Sequence, residues 1–283
     1  MTPPLLRDAE QSYVEQLPVP VLADFVSAVF IQQIAPGGAP YRQRSIPNGS
    51  VEVTCRLGAA PTVVGPLTRP FTQVLVPGTT VVGLRFRPGA GPSILGLPAS
   101  EHVDLVLGAD AFWGHTAEML GERVAAAASP EQALAVLQKH VVGRLPDAAP
   151  PDPLVSGAVR RLMPGRATQV TSLTSSLYVS ERSLRRRCLA AVGVPPKTLH
   201  RLLRFQGVLA AAQQAIAQGR TPAEGGLARL AADAGYSDHS HLDRECRRLT
   251  CVSARAFLLE TAVRCGCGHD HAASYNPLLL AAS

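Results

Sequence analysis

The spacing of apolar positions changes partway along the chain. Over roughly the first 95 residues it is short and strand-like. Val51, Val53 and Cys55 alternate with Glu52 and Thr54, Val74 and Val76 flank Leu75, and Val81 to Phe86 is a brief apolar run. Turn signals separate these runs at Pro36-Gly37-Gly38, Pro47-Asn48-Gly49, Pro77-Gly78 and Pro88-Gly89. Leu22 to Ile34 fits a helix or a strand equally. After Ser100 the spacing becomes helical. Ser100-Glu101-His102 opens a short helix, Ala111 to Ala127 is a second, and Ser129-Pro130-Glu131 caps a third that runs to about Arg144. The prediction is an α+β domain over residues 1–145.

Four prolines between Pro146 and Pro153 block helix and ladder alike, so residues 146–153 read as a linker. Beyond it the pattern is helical and repeats itself. At an offset of 58, Tyr178 falls on Tyr236, Leu184 on Leu242, Arg186 on Arg244, Cys188 on Cys246, Val194 on Val252 and Lys197 on Arg255. Each copy reads as a short helix, a turn, a cap residue (Ser180; Ser237 or Asp238) and a second helix. The copies span Val170 to Ala191 and Leu227 to Leu249. Between them Leu199, Leu202, Leu203, Val208, Leu209 and Ile216 recur at helical spacing, predicting one long helix from Pro196 to about Gln218, stopped by Gly219. The fold class expected for residues 154–262 is therefore an all-α domain of two helix-turn-helix units joined by a long helix. Residues 263–283 lack a sustained period and read as a flexible tail.

Composition narrows the partner. At 46% hydrophobic and 17% charged residues, the 283-residue chain is globular rather than disordered. Its net charge of +6 is unevenly spread: residues 154–260 hold 16 Lys/Arg against 7 Asp/Glu, and the remainder 11 against 14. Such confinement points to a polyanion bound by the C-terminal segment alone. No apolar run approaches the ~20 residues of a membrane helix. The N-terminus lacks the pattern of a signal peptide, and six scattered cysteines do not form a disulfide framework, so a cytoplasmic protein is expected.

In the first copy's second helix, at about 181–191, Leu184, Cys188 and Ala191 form the inward face. Arg182, Arg185 and Arg186 lie elsewhere, with Arg187 further round. Arginine grips guanine O6 and N7 in two places and also binds phosphate. The second copy, at about 239–249, offers His239, Ser240, Asp243 and Arg244, with Arg247 and Arg248 placed for phosphates. Double-stranded DNA is the expected partner, with base contacts supplying selectivity and phosphate contacts, Arg187 among them, the salt-dependent affinity.

Residues 168–260 resemble the DNA-binding domain of AraC/XylS-type transcription regulators. The likeness is carried by Val179 to Arg187, by Pro196 to Gln206, and by Ala231 to Leu242 with its Gly235-Tyr236-Ser237-Asp238-His239-Ser240-His241-Leu242 run. It implies a sequence-specific regulator whose base-facing residues are Arg182, Arg185, Arg186, His239, Ser240, Asp243 and Arg244. RNA polymerase and a second copy of the chain are further candidate partners. The sequence departs from the family at Cys188 and Cys246, where Phe is usual, and at Cys251 and Ala254, where Gly and Pro are usual. Arg44 to Glu52, Gly65 to Thr68 and Gly83 to Gly89 more loosely resemble a sensor-type domain that precedes this module in actinobacterial regulators.

Three other chemistries bear on the function. Cys265, Cys267, His269 and His271 supply a ligand set for zinc or another transition metal within seven residues, an alternative that would make the protein a metal-responsive regulator. Arg85 and Arg87 either bind an anionic effector or serve structural ion pairs. An enzyme is not expected, since no Gly-x-Ser-x-Gly elbow or phosphate loop occurs. The variant to weigh is a cysteine-based DNA alkyl acceptor, since some carry a similar helix-turn-helix module. Cys55 would be its N-terminal cysteine, although its strand-like surroundings suit a core residue.

Overall fold

The computed structural model describes residues 11–164, 170–221 and 226–264. Among the described residues eight strands occupy the first part of the chain: β1 (Gln11–Gln16), β2 (Val26–Ile34), β3 (Tyr41–Ser45), β4 (Glu52–Arg56), β5 (Thr62–Val64), β6 (Phe71–Leu75), β7 (Thr80–Phe86) and β8 (Val106–Gly108). Six of them form one antiparallel sheet in the order β1-β2-β7-β4-β5-β8, and β3 pairs with β6 in a separate ribbon. Leu22 to Ile34, ambiguous in sequence, resolves into a 3-10 turn at Pro20–Leu22 followed by β2. The ambiguity has a physical cause: β2 is buried along nearly its whole length, so both faces carry apolar residues and the alternation disappears.

Register aligns one apolar face. Val29 opposes Leu84, which opposes Val53, and Ile31 opposes Val82, which opposes Cys55. Four helices follow on this part of the chain: α1 (Gly91–Leu95), α2 (Asp110–Trp113), α3 (His115–Ala125) and α4 (Pro130–Val142). Leu120 and Val124 of α3 and Leu134, Leu137 and Val141 of α4 close the core over that face. The Ser129 hydroxyl caps α4 by accepting from the Gln132 amide. The helix expected over Ala111 to Ala127 is broken into α2 and α3 at Gly114 (φ 54, ψ −143), a backbone state reserved for glycine. The helix expected at Ser100 is a single 3-10 turn, Ala99–Glu101.

The opposite face of the sheet is polar and yet covered. Arg85 donates to Glu52 (2.8 Å) and to Glu15 (3.0 Å), and the Glu15 side chain is 7% exposed. Each of these carboxylates therefore has a charge-assisted partner. The Phe30 ring lies on Gly83, where a Cβ would sit 2.2 Å from a ring carbon. Arg85 thus serves an internal ion pair, and Arg87 donates to the Ala23 carbonyl at 2.6 Å.

Among the described residues the C-terminal part is helical: α5 (Pro153–Leu162), α6 (Val170–Leu177), α7 (Glu181–Val192), α8 (Pro196–Ala217), α9 (Leu227–Asp233), α10 (His239–Thr250) and α11 (Ala254–Arg264). The Pro-rich segment ends in the cap of α5, where Asp152 accepts from the Leu154 and Val155 amides. Leu184 and Cys188 of α7, Leu199 to Phe205 of α8 and Leu242, Cys246 and Leu249 of α10 share one core.

The two parts meet along a seam. Gly193, just past α7, approaches Val103, Pro66 and the Ala99 carbonyl, and Gly89 approaches Val155 and Val192. The loop between β3 and β4 reaches across: Ile46 packs on the helical core, and the buried Gln206 amide donates to the Pro47 carbonyl at 2.8 Å. Arg44 pairs with Glu260 of α11.

Candidate nucleic-acid interface

Two helix-turn-helix units flank α8 in the sequence. In the first, α6 leads through Tyr178-Val179 to Ser180, whose hydroxyl accepts from the Ser183 amide and starts α7. In the second, α9 leads through Gly235-Tyr236-Ser237 to Asp238, which accepts from the His241 amide at 2.7 Å and starts α10. Of the two cap candidates in that copy, Asp238 takes the role.

The repeat is not uniform in register. Val179 N bonds to Thr174 O, and Tyr236 N bonds to Ala231 O, the same six-residue closure of a helix C-terminus. Each is preceded by the left-handed residue of that closure, Tyr178 (φ 52) or Gly235 (φ 74). Tyr178 therefore matches Gly235 in the fold, and Val179 matches Tyr236. The second turn is one residue longer, and the offset of 58 holds only from Ser180 and Asp238 onward. At the far end of the reading helices the match is Gly193 (φ 81) to Cys251 (φ 65).

On α7, Arg182, Arg185 and Arg186 are exposed, while Leu184, Cys188 and Val192 are buried. That leaves a continuous basic surface on the first two turns. Arg187 is different: it donates to Asp152 at 2.7 Å and ties α7 to the start of α5. Burial raises the Asp152 carboxyl, but the bonds from Arg187 and from the Leu154 and Val155 amides outweigh it and hold the group below its usual range. The phosphate role expected of Arg187 thus competes with an existing intramolecular pair.

On α10, His239, Ser240 and Arg244 are exposed, as are Arg247 and Arg248. Asp243 is engaged internally. One of its oxygens accepts from the Ala254 amide at the start of α11 (2.8 Å), and the other from Arg247 Nε (2.8 Å). These bonds hold its carboxyl below the usual range, the Ala254 amide first. The geometry gives Asp243 a positioning duty between α10 and α11, and leaves His239, Ser240 and Arg244 free to face outward.

The second unit is fixed to α8 by two ties that the sequence does not announce. Arg201 donates to Glu245 at 2.6 Å, and Glu245 is 8% exposed. The Arg204 guanidinium lies 4.1 Å above the Tyr236 ring and donates to the Gly235 carbonyl. α8 has 22 residues, so at about 1.5 Å per residue it is roughly 33 Å long.

Among the described residues no group of three or more His, Cys, Asp or Glu side chains is placed to hold a metal. Cys265, Cys267, His269 and His271 lie outside the described residues. Cys55, Cys188 and Cys246 are buried, and burial pushes each thiol up to about 11, which suits core residues rather than nucleophiles. His115 and Glu118 form an exposed pair on α3. No helix is long and apolar enough to cross a membrane among the described residues.

A family model described as a domain of unknown function (DUF6597) matches residues 14–107, which lie within the β-rich part. No curated protein matches the chain by sequence. In structure the chain is similar to ToxT of Vibrio cholerae. With the wild-type protein bound to an unsaturated fatty acid it shares 11% identity at a TM-score of 0.45, over 88% of this chain and 95% of that one. With ToxT of strain O395 it shares 10% identity at a TM-score of 0.41, over 78% of this chain and 96% of that one. At these values the function of the chain has to be read from its own residues.

Proposed function

We propose that the protein is a sequence-specific DNA-binding transcription regulator of the AraC/XylS type. The observation that carries this reading is the pair of capped helix-turn-helix units, each with an exposed polar or basic outer face, packed with the 22-residue α8 around one core. α7 and α10 enter successive major-groove segments. Arg182, Arg185 and Arg186 read bases from the first helix, and His239, Ser240 and Arg244 from the second. Arg247 and Arg248 take phosphates.

The test is selection of a duplex from a random-sequence pool, followed by binding of the selected and a scrambled duplex at two salt concentrations. Arg185→Ala or Arg186→Ala should cost about 1–3 kcal/mol on the selected duplex and relax preference at one base position. Equal affinity of the wild-type protein for both duplexes sinks the proposal. Sedimentation of the complex gives the number of protein copies per duplex.

Control through the N-terminal part belongs to the same reading. Its support is a run of polar contacts from the sheet to α8. Arg85 holds Glu52, Glu52 accepts from Asn48 Nδ2 at 3.1 Å, and the neighbouring Pro47 carbonyl accepts from Gln206 of α8. A shift in the packing of the sheet face therefore has a short path to the helix that spaces the reading heads. A metal-responsive tail is a separate proposal that rests on the Cys/His spacing alone. Equilibrium dialysis of the full chain with zinc, nickel and copper decides it.

A further inference from the structure

We propose that Tyr178 is a further DNA-contacting residue, whose phenol hydroxyl donates a hydrogen bond to a backbone phosphate at the mouth of the first reading helix. The proposal rests on the DNA-binding reading above and extends it to a residue outside the two helices.

Three observations carry it. Tyr178 is 97% exposed, the most exposed large hydrophobic side chain among those described, so no packing within the chain repays its position. Its backbone is left-handed (φ 52), a state that costs any residue with a Cβ and is normally filled by glycine. The second copy of the same turn uses glycine, Gly235 (φ 74). An exposed aromatic kept in a strained turn where its structural counterpart is Gly suggests a use outside the fold.

Its place supplies the use. Tyr178 stands two residues before the Ser180 cap and four before Arg182, in the turn that leads into α7. A reading helix that enters the groove by its N-terminal end brings the turn before it against the sugar-phosphate backbone. A tyrosine hydroxyl there is a neutral donor to a phosphate oxygen, as Tyr side chains are in such interfaces. Because Tyr carries no charge, this contact releases no counterion, unlike one made by an arginine.

The experiment compares Tyr178→Phe, Tyr178→Gly and Cys251→Gly with the wild-type protein on a duplex that the wild type selects. Cys251 is the matched control: it is also exposed and left-handed (φ 65), but lies at the far end of α10. Both glycine variants should raise the thermal unfolding midpoint. Tyr178→Phe and Tyr178→Gly should each weaken binding about ten-fold, the scale of one hydrogen bond to a charged group. The slope of log affinity against log salt should stay that of the wild type. Cys251→Gly should bind as the wild type does. Unchanged affinity in Tyr178→Phe overturns the proposal while leaving the regulator reading intact. A reduced salt slope in Tyr178→Phe overturns it as well. If the wild type selects no duplex, both readings fall together.

Discussion

The seam between the two parts can be tested at one atom. Gly193 follows α7 with φ 81, and a Cβ placed there would lie 2.8 Å from Val103 Cγ2, 2.9 Å from Pro66 Cγ and 3.1 Å from the Ala99 carbonyl oxygen. Gly193→Ala therefore carries two costs. The left-handed backbone costs about 1–2 kcal/mol. Crowding against two side chains and a main-chain oxygen adds about 1–3 kcal/mol. Gly219→Ala isolates the first cost, since Gly219 has φ 70 and nothing lies within 4 Å of the point where its methyl would stand. Urea unfolding should thus place Gly193→Ala about 1–3 kcal/mol below Gly219→Ala. Two probes sharpen the result. The lone tryptophan, Trp113, sits in the core beneath the sheet, whereas far-ultraviolet dichroism reports mainly the helices. Strain at the seam should pull these two transitions apart in Gly193→Ala and leave them together in Gly219→Ala. Equal destabilisation of the two variants, with coincident transitions in both, refutes the reasoning.

Other perturbations follow from the same structure. Asp243→Ala removes the acceptor at the start of α11 and should lower stability by about 1 kcal/mol, while base preference in a duplex selection stays that of the wild type. Glu245→Ala leaves Arg201 half-buried and alone; a loss of about 3 kcal/mol in denaturant unfolding is expected, and a loss under about 1 kcal/mol contradicts the tie. The His140 ring packs tilted against Trp113 (centroids 4.7 Å apart), and burial, then Arg144 and Arg123, push its pKa down to about 4. Its folded value lies below the unfolded value of 6.5, so the unfolded chain takes up the proton first. Stability is full above pH 6.5, declines as pH falls toward 4, and is level below that. With the ring partly exposed, the loss should be about 1–2 kcal/mol. His140→Gln should flatten that limb of the stability profile, and an unchanged profile shows that another group causes it.

Local signals make part of this legible in the sequence. The Ser129-Pro130 cap, the 3.6-residue spacing from Leu199 to Ile216 and the stop at Gly219 each depend on neighbours within one or two turns, and α4 and α8 follow them. The reading helices can be located to within about a residue because Ser180 and Asp238 announce their own caps. What escapes is non-local. Arg85 meets Glu15 across 70 positions, and nothing in either strand's pattern names its partner. Asp243 faces outward by helical spacing, yet Ala254 returns to claim it after the Cys251 turn. Arg187 shares its helix with three outward-facing arginines and differs only because Asp152 lies beside it. The turn register needs backbone closure to settle, since matching Tyr178 to Tyr236 by identity conceals the extra residue in the second turn.

α8 does more than hold two bodies apart. It is anchored to the second unit by Arg201 and Arg204 and gripped from the N-terminal side at Gln206. A helix fixed in this way sets the rotational phase of the unit tied to it. One residue added between Arg201 and Arg204 would turn one tie against the other by about 100° while moving it only about 1.5 Å, so Glu245 and Gly235 could not both keep their partners. These three anchors fall within two turns of α8, so that stretch has a fixed residue count, whereas the turns toward Ala217 carry none of them.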